Sequence, residues 1–183
     1  MPILDFEELT EGTILGTQYQ ANGVTFVEPP QRGPLPFVMT SPSGKKALHI
    51  RGSGEIAWCE ARADFDKPRR HVTLVLVNER DMAASADLFA LDIAGNTLAS
   101  STVSLAGATG ATATIAIDRP SEDIHSFIVK APSTHHRVAI DVLAFNEGAA
   151  AAGPDFGLSA SYTDPLGLSC RPGGSVEVKV HVV

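Results

Sequence analysis

The chain has 183 residues, 44% of them apolar and 19% charged, with a formal net charge of −7. That balance argues against a nucleic-acid or anionic-membrane surface, which needs a basic face. No run of about 18 apolar residues is present to read as a membrane span, and no basic-then-apolar leader precedes Asp5, so no signal peptide is expected. The predicted elements are short strands: Ile3–Glu7, Val24–Val27, Phe37–Thr40, Ala47–Arg51, Ile56–Phe65, Val72–Val77, Ala86–Asp92, Thr97–Leu105, Ala111–Ile117, Ile124–Lys130 and Arg137–Phe145. Asn22-Gly23, Pro29-Pro30, Gly95-Asn96 and Asp118-Arg119-Pro120 punctuate them as turns. Strands at intervals of about ten residues predict an all-β sandwich or barrel.

Val72–Val77 is apolar at nearly every position and predicts a central strand covered on both faces. Residues 88–99 predict a hairpin, because Gly95 and Asn96 tolerate the positive φ of tight turns. Lys67-Pro68-Arg69-Arg70-His71 is the one basic cluster in the sequence and reads as a solvated turn before a strand. The domain reading is 1–147 as one β domain, 148–154 as an Ala/Gly linker ending at Pro154, and 155–183 as a second, truncated β segment. In that last segment Val176, Val178, Val180 and Val182 alternate with polar residues in period two, as a half-buried strand does.

Asp5-Phe6-Glu7, Leu9, Gly12-Thr13, Tyr19, Gly23-Val24 and Phe26 open the β domain, and Ile140-Asp141, Leu143 and Phe145 close it. This pattern resembles the jelly-roll sandwich domains of bacterial extracellular proteins, related in fold to carbohydrate-binding modules of the galactose-binding-domain-like class. The resemblance covers about 145 residues, and the tail resembles the opening of a bacterial immunoglobulin-like repeat. It implies a jelly-roll-like antiparallel β-sandwich, secreted or at the cell surface. It further implies a non-catalytic module that binds carbohydrate beside neighbouring domains of a longer chain. A structural or adhesive spacer with no small ligand is the alternative.

Acidic residues on the first and last strands of a sandwich can meet and clamp a hard cation. Glu7, Asp141 and Asp5 are the candidate ligands of a structural Ca2+, Asp5 and Glu7 sharing one strand face two residues apart. Val142 stands where such closing motifs carry a second acid. Carbohydrate faces use aromatic planes against apolar C–H surfaces, so Tyr19, in a connection, and Trp58, in a strand, are the candidate ligand-binding residues; Trp58 reads first as core. His135-His136 reads as a solvated loop. No nucleophile elbow, His-Glu-x-x-His or phosphate loop is present in the sequence, and no catalytic residue is assigned. Cys59 and Cys170 read as separate thiols, with one disulfide possible on count alone.

Overall fold

A computed structural model describes residues 2–30, 34–50, 58–132 and 138–146. All belong to the first compact unit, Met1–Ala151. The readings of 148–154 and 155–183, of Cys170 and of His135-His136 lie outside the described residues.

Among the described residues eleven strands form: β1 Ile3–Leu4, β2 Val24–Val27, β3 Phe37–Thr40, β4 Lys46–His49, β5 Trp58–Arg69, β6 His71–Asn78, β7 Ala84–Leu91, β8 Thr97–Leu105, β9 Thr112–Asp118, β10 Ile124–Pro132 and β11 Val138–Asn146. They make two antiparallel sheets. The first has the order β3-β4-β11-β6-β9, with β1 also on β11; the second has the order β2-β5-β10-β7-β8. The chain passes repeatedly from one sheet to the other, as in a jelly-roll sandwich. The core between the sheets comes from period-two alternation. Ala61, Ala63 and Phe65 of β5, Ala86, Leu88 and Ala90 of β7, and Phe127 and Val129 of β10 face Leu74, Leu76, Ile140, Leu143 and Phe145 of the first sheet, all buried in one cluster.

Three sequence expectations change. The first strand stops at Leu4 instead of Glu7, because Phe6 takes φ 62 and turns the chain. That left-handed backbone costs an aromatic residue about 1–2 kcal/mol. Burial of the Phe6 ring, edge-on to Tyr19 at 5.7 Å, offsets the cost. The basic cluster is not a simple solvated turn. β5 runs on through Arg69, which is 7% exposed, 2.5 Å from Asp66 and over the Phe145 ring at 5.1 Å. An arginine stem and planar guanidinium can pack on aromatic rings while its charge is paired. Finally, β6 has strand partners on both edges, but its burial alternates, with Thr73 and Val75 half-buried on the outer side.

Gly23 closes the 3-10 turn Gln20–Asn22 with φ 86, and a Cβ there would stand 2.5 Å from Arg69 Nη2 and 2.7 Å from Asp66 Oδ1. Gly23→Ala is expected to destabilise the fold by about 2–4 kcal/mol, the left-handed penalty plus displacement of the ion pair. Gly110→Ala, at φ 84 with nothing within 4 Å, is expected to lose only the backbone penalty, about 1–2 kcal/mol. Urea unfolding of the two variants checks the difference, and equal losses would count against the crowding at Gly23.

Candidate functional site

One edge of β11 is shared by two strands. β4 pairs with Ala139 and Ile140, and β1 pairs with Leu143 and Ala144. Asp141 and Val142 fall in the gap. On the other edge the register against β6 skips from Ile140 to Val142, so Asp141 is a bulge residue. Bulges re-aim side chains. Here the gap opens a cavity of about 380 Å³ lined by Asp5, Glu7, Gly44, Lys45, Asp141 and Val142. The three acidic candidates therefore share one cavity, and the first and last strands do lie side by side as the sequence suggested, but one part of that reading fails. Asp5 and Glu7 are not on a common strand face; they flank the left-handed Phe6.

The three carboxylates differ. Asp5 Oδ1 accepts from the Glu7 amide at 3.3 Å, and Glu7 Oε1 accepts from the Lys46 amide at 3.0 Å. Asp141 is 9% exposed, and its carboxylate makes no hydrogen bond or ion pair among the described residues. Burial pushes its carboxyl up, Lys45 pulls it down, and Glu7 and then Asp5 push it up again. Lys46 Nζ donates to the Glu7 carbonyl at 2.8 Å and to the Leu9 carbonyl, tying down the acidic turn. In chemistry the donor set suits a hard, oxygen-seeking cation. In arrangement, no three His, Cys, Asp or Glu side chains among the described residues are gathered tightly enough to ligate one ion directly.

Tyr19, expected as a ligand contact, is instead a core residue. It is 3% exposed and packed on Phe6, so its ring is no platform. Burial first, and then the Glu8 and Asp5 carboxylates, push its phenol far above the ordinary range and keep it neutral. Trp58 pairs with Pro132 where β5 begins; its side chain lies outside the described residues. Cys59 is half-buried against the core.

The outward side chains of the second sheet form a polar face that the sequence reading did not single out. Phe89 is its half-buried aromatic, with Lys130 Nζ 5.7 Å from the ring centroid. Lys130 reaches Glu60 at 2.8 Å, Arg62 reaches Asp64 at 3.0 Å, and Thr102 donates to Asp87 at 2.6 Å. At one end the ladder breaks. Between the pairs Ser126↔Asp64 and Ile124↔Arg69, β5 places residues 65–68 against the single residue His125. Pro68 within that stretch cannot donate to the ladder. The break opens a cavity of about 390 Å³ whose polar lining includes Arg62, Asp64, Asp66, Asp92, His125 and Ser126. The outward parity of Arg62, Asp64, Asp87 and Phe89 could have been read from the alternation; their convergence depended on strand order.

A third cavity, also about 390 Å³, lies on the first sheet, where buried His49 and half-buried Glu79 meet at 2.8 Å. The two are close, but His49 Nε2 makes no hydrogen bond among the described residues.

No protein-family model matches the chain, and no curated protein matches it. Solved structures align with it. An arabinose-bound α-L-arabinofuranosidase aligns with a TM-score of 0.52 at 12% identity, over 78% of this chain and 25% of its own. An exo-β-agarase aligns at 0.49 and 12%, over 79% and 25%. A carbohydrate-binding module specific for non-crystalline cellulose aligns at 0.45 and 14%, over 80% and 99%. The chain thus spans about a quarter of the two enzyme chains, and at 12% identity its likeness to the arabinofuranosidase is one of fold alone.

The raised Asp141 carboxyl gives a signed expectation. The folded state holds the proton more tightly than the unfolded one, so ionised Asp141 costs stability at neutral pH. The cost fades as pH falls through the folded carboxyl's range. In chelator at pH 7, Asp141→Asn is expected to melt above wild type, with the gap narrowing as pH is lowered into the carboxylate range. Calorimetric scans across pH check this, and a variant that melts lower at every pH would contradict it.

Proposed function

We propose that this chain is a non-catalytic module that binds carbohydrate on the outer face of its second sheet. In this reading it belongs to a secreted or surface bacterial protein. The observation that carries the proposal is the half-buried Phe89 ring beside Lys130, on the same outer face as Arg62 and Asp64, which line the polar cavity at His125. A pyranose offers an apolar C–H face to an aromatic ring and hydroxyls to the charged groups around it. Cavities of this size suit small ligands with a few fixed polar contacts. A fold shared with domains of sugar-processing chains and with carbohydrate-binding modules is compatible with this reading.

The acidic cavity has a separate role in the proposal. Asp5, Glu7 and Asp141 would hold a structural Ca2+ beside Lys45, joining the segment after β1 to the middle of β11. The unpartnered, buried Asp141 is the group that gains most from a cation. The ion would supply stability and no chemistry, since anything that binds only the folded state stabilises it.

Two outcomes follow. On a polysaccharide panel in calcium buffer, the chain is expected to be retained competably by one sugar class, with Phe89→Ala weakening binding about tenfold, or about 1.4 kcal/mol. Failure to bind any member would favour a structural spacer. Calcium at a hundredfold its dissociation constant is expected to add about 2.7 kcal/mol of stability, an increment absent in Asp141→Asn. Identical melting of wild type in calcium and in chelator would exclude the cation.

A further inference from the structure

Where β6 ends, the chain is tied down by Asn78, which is fully buried. Its Nδ2 donates to the Met82 and Ala106 carbonyls, each at 2.8 Å, and its Oδ1 accepts from the Arg80 amide at 3.1 Å. Glu79, between Asn78 and Arg80, therefore leaves the sheet from a fixed turn. His49 ends β4, in register with Ala139 of β11, which is in turn in register with Val77 of β6. Ala47, Val77 and Ala139 form a small, fully buried cluster of their own. Because Ala139 puts only a methyl group between β4 and β6, the longer side chains of His49 and Glu79 can meet over it, Nε2 to Oε1 at 2.8 Å. The Phe37 ring lies beside the imidazole, with centroids 5.3 Å apart.

This contact is not an ordinary ion pair. Glu79 is half-buried as a residue, but the side chains of His49 and Glu79 are only 7% and 8% exposed. At 2.8 Å an imidazolium and a carboxylate normally share a hydrogen bond. Nε2 makes none among the described residues, so its in-plane N–H or lone pair points elsewhere than at Oε1. A buried polar atom left without a partner is costly, and a ligand relieves that cost. Two donors that come close without bonding are placed as neighbouring ligands of one metal ion are. Zinc ligands of these types lie about 2.0–2.2 Å from the ion, so they stand about 2.9 Å apart across a right angle and about 3.4 Å apart across a tetrahedral one. The separation of His49 and Glu79 is close to the first value.

We infer that His49 Nε2 and Glu79 Oε1 bind a divalent transition-metal ion of the zinc class at the wall of the cavity they line. Imidazole beside carboxylate suits Zn2+, Ni2+ and Cu2+, whereas Ca2+ takes oxygen ligands alone. The site is thus chemically distinct from the all-carboxylate cavity at Asp141. Among the described residues no third His, Cys, Asp or Glu joins the pair. The protein therefore supplies two donors, and water from the cavity completes the shell, as at an open site and unlike a closed structural zinc. Thr40 and Ser41 add hydroxyls to the lining that can hold such water. Arg80 also lines the cavity, but it is exposed and its charge can turn to solvent. The inference does not depend on what the second sheet binds.

Zinc titration of the full chain, followed by NMR of the histidine ring nitrogens, tests it. Zinc is expected to move the resonance of His49 Nε2, and calcium at the same concentration to leave it in place. Glu79→Gln keeps the size of the side chain and removes its charge; it is expected to weaken zinc binding at His49 at least tenfold. Asp141→Asn is expected to leave that binding unchanged. Zinc that does not move His49 Nε2 overturns the inference, whether or not it binds elsewhere. So does a correctly folded Glu79→Gln that binds zinc at His49 as tightly as wild type, or an Asp141→Asn that abolishes the His49 shift. If the variants fold poorly, the ring-nitrogen titration of the wild type decides alone.

Discussion

The fold depends on the placement of β11, the last strand of the β domain, inside the first sheet. β6 pairs along one of its edges from His71 to Asn78, while β4 and β1 divide the other. Phe145, Leu143 and Ile140 point from it into the core, and Phe145 touches Phe65 of the opposite sheet at 5.0 Å. A residue that joins both sheets in this way dominates stability because apolar burial is the main favourable term in folding. The same strand sets the acidic cavity. An edge shared by two strands leaves a gap, and the bulge at Asp141 fills it with a carboxylate instead of a ladder pair.

Both polar cavities of interest arise where a ladder is interrupted. At Asp141 the interruption is one extra residue in β11. At His125 it is residues 65–68 of β5, with Pro68 among them. A regular ladder sends alternate side chains straight in or straight out, whereas an irregular one can gather several at one point. The two sites lie on different sheets and have different character. One is a set of carboxylates with a buried, unpartnered member; the other is a mixed face of ion pairs, hydroxyls and one aromatic ring. That contrast supports assigning stabilisation to the first and recognition to the second.

Strand positions were legible in the sequence because turn residues and alternation are local signals: Val24–Val27, Phe37–Thr40 and Thr97–Leu105 form as read. The bringing together of Asp5, Glu7 and Asp141 was also anticipated, but the left-handed Phe6 and the β11 gap were not, since both are set by packing across the sandwich. Tyr19 misled because a tyrosine in a connection looks exposed; its burial follows from Phe6 turning inward beneath it. Arg69 misled because a run of basic residues looks solvated, and only the tertiary fold supplies Asp66 and the Phe145 ring. Phe89 was read simply as a strand residue, because its neighbours on the face come from β5, β8 and β10, distant in sequence.

The central claim is that ligand recognition and cation binding occupy separate sites on the two sheets. Backbone-resolved NMR titration tests it directly, first with calcium and then with an oligosaccharide of whichever class is retained. Calcium is predicted to move the resonances of Asp5, Glu7, Lys45 and Asp141, and the oligosaccharide those of Arg62, Phe89, His125 and Lys130. Oligosaccharide-induced shifts centred on Asp141, with the Phe89 face unchanged, would contradict the account.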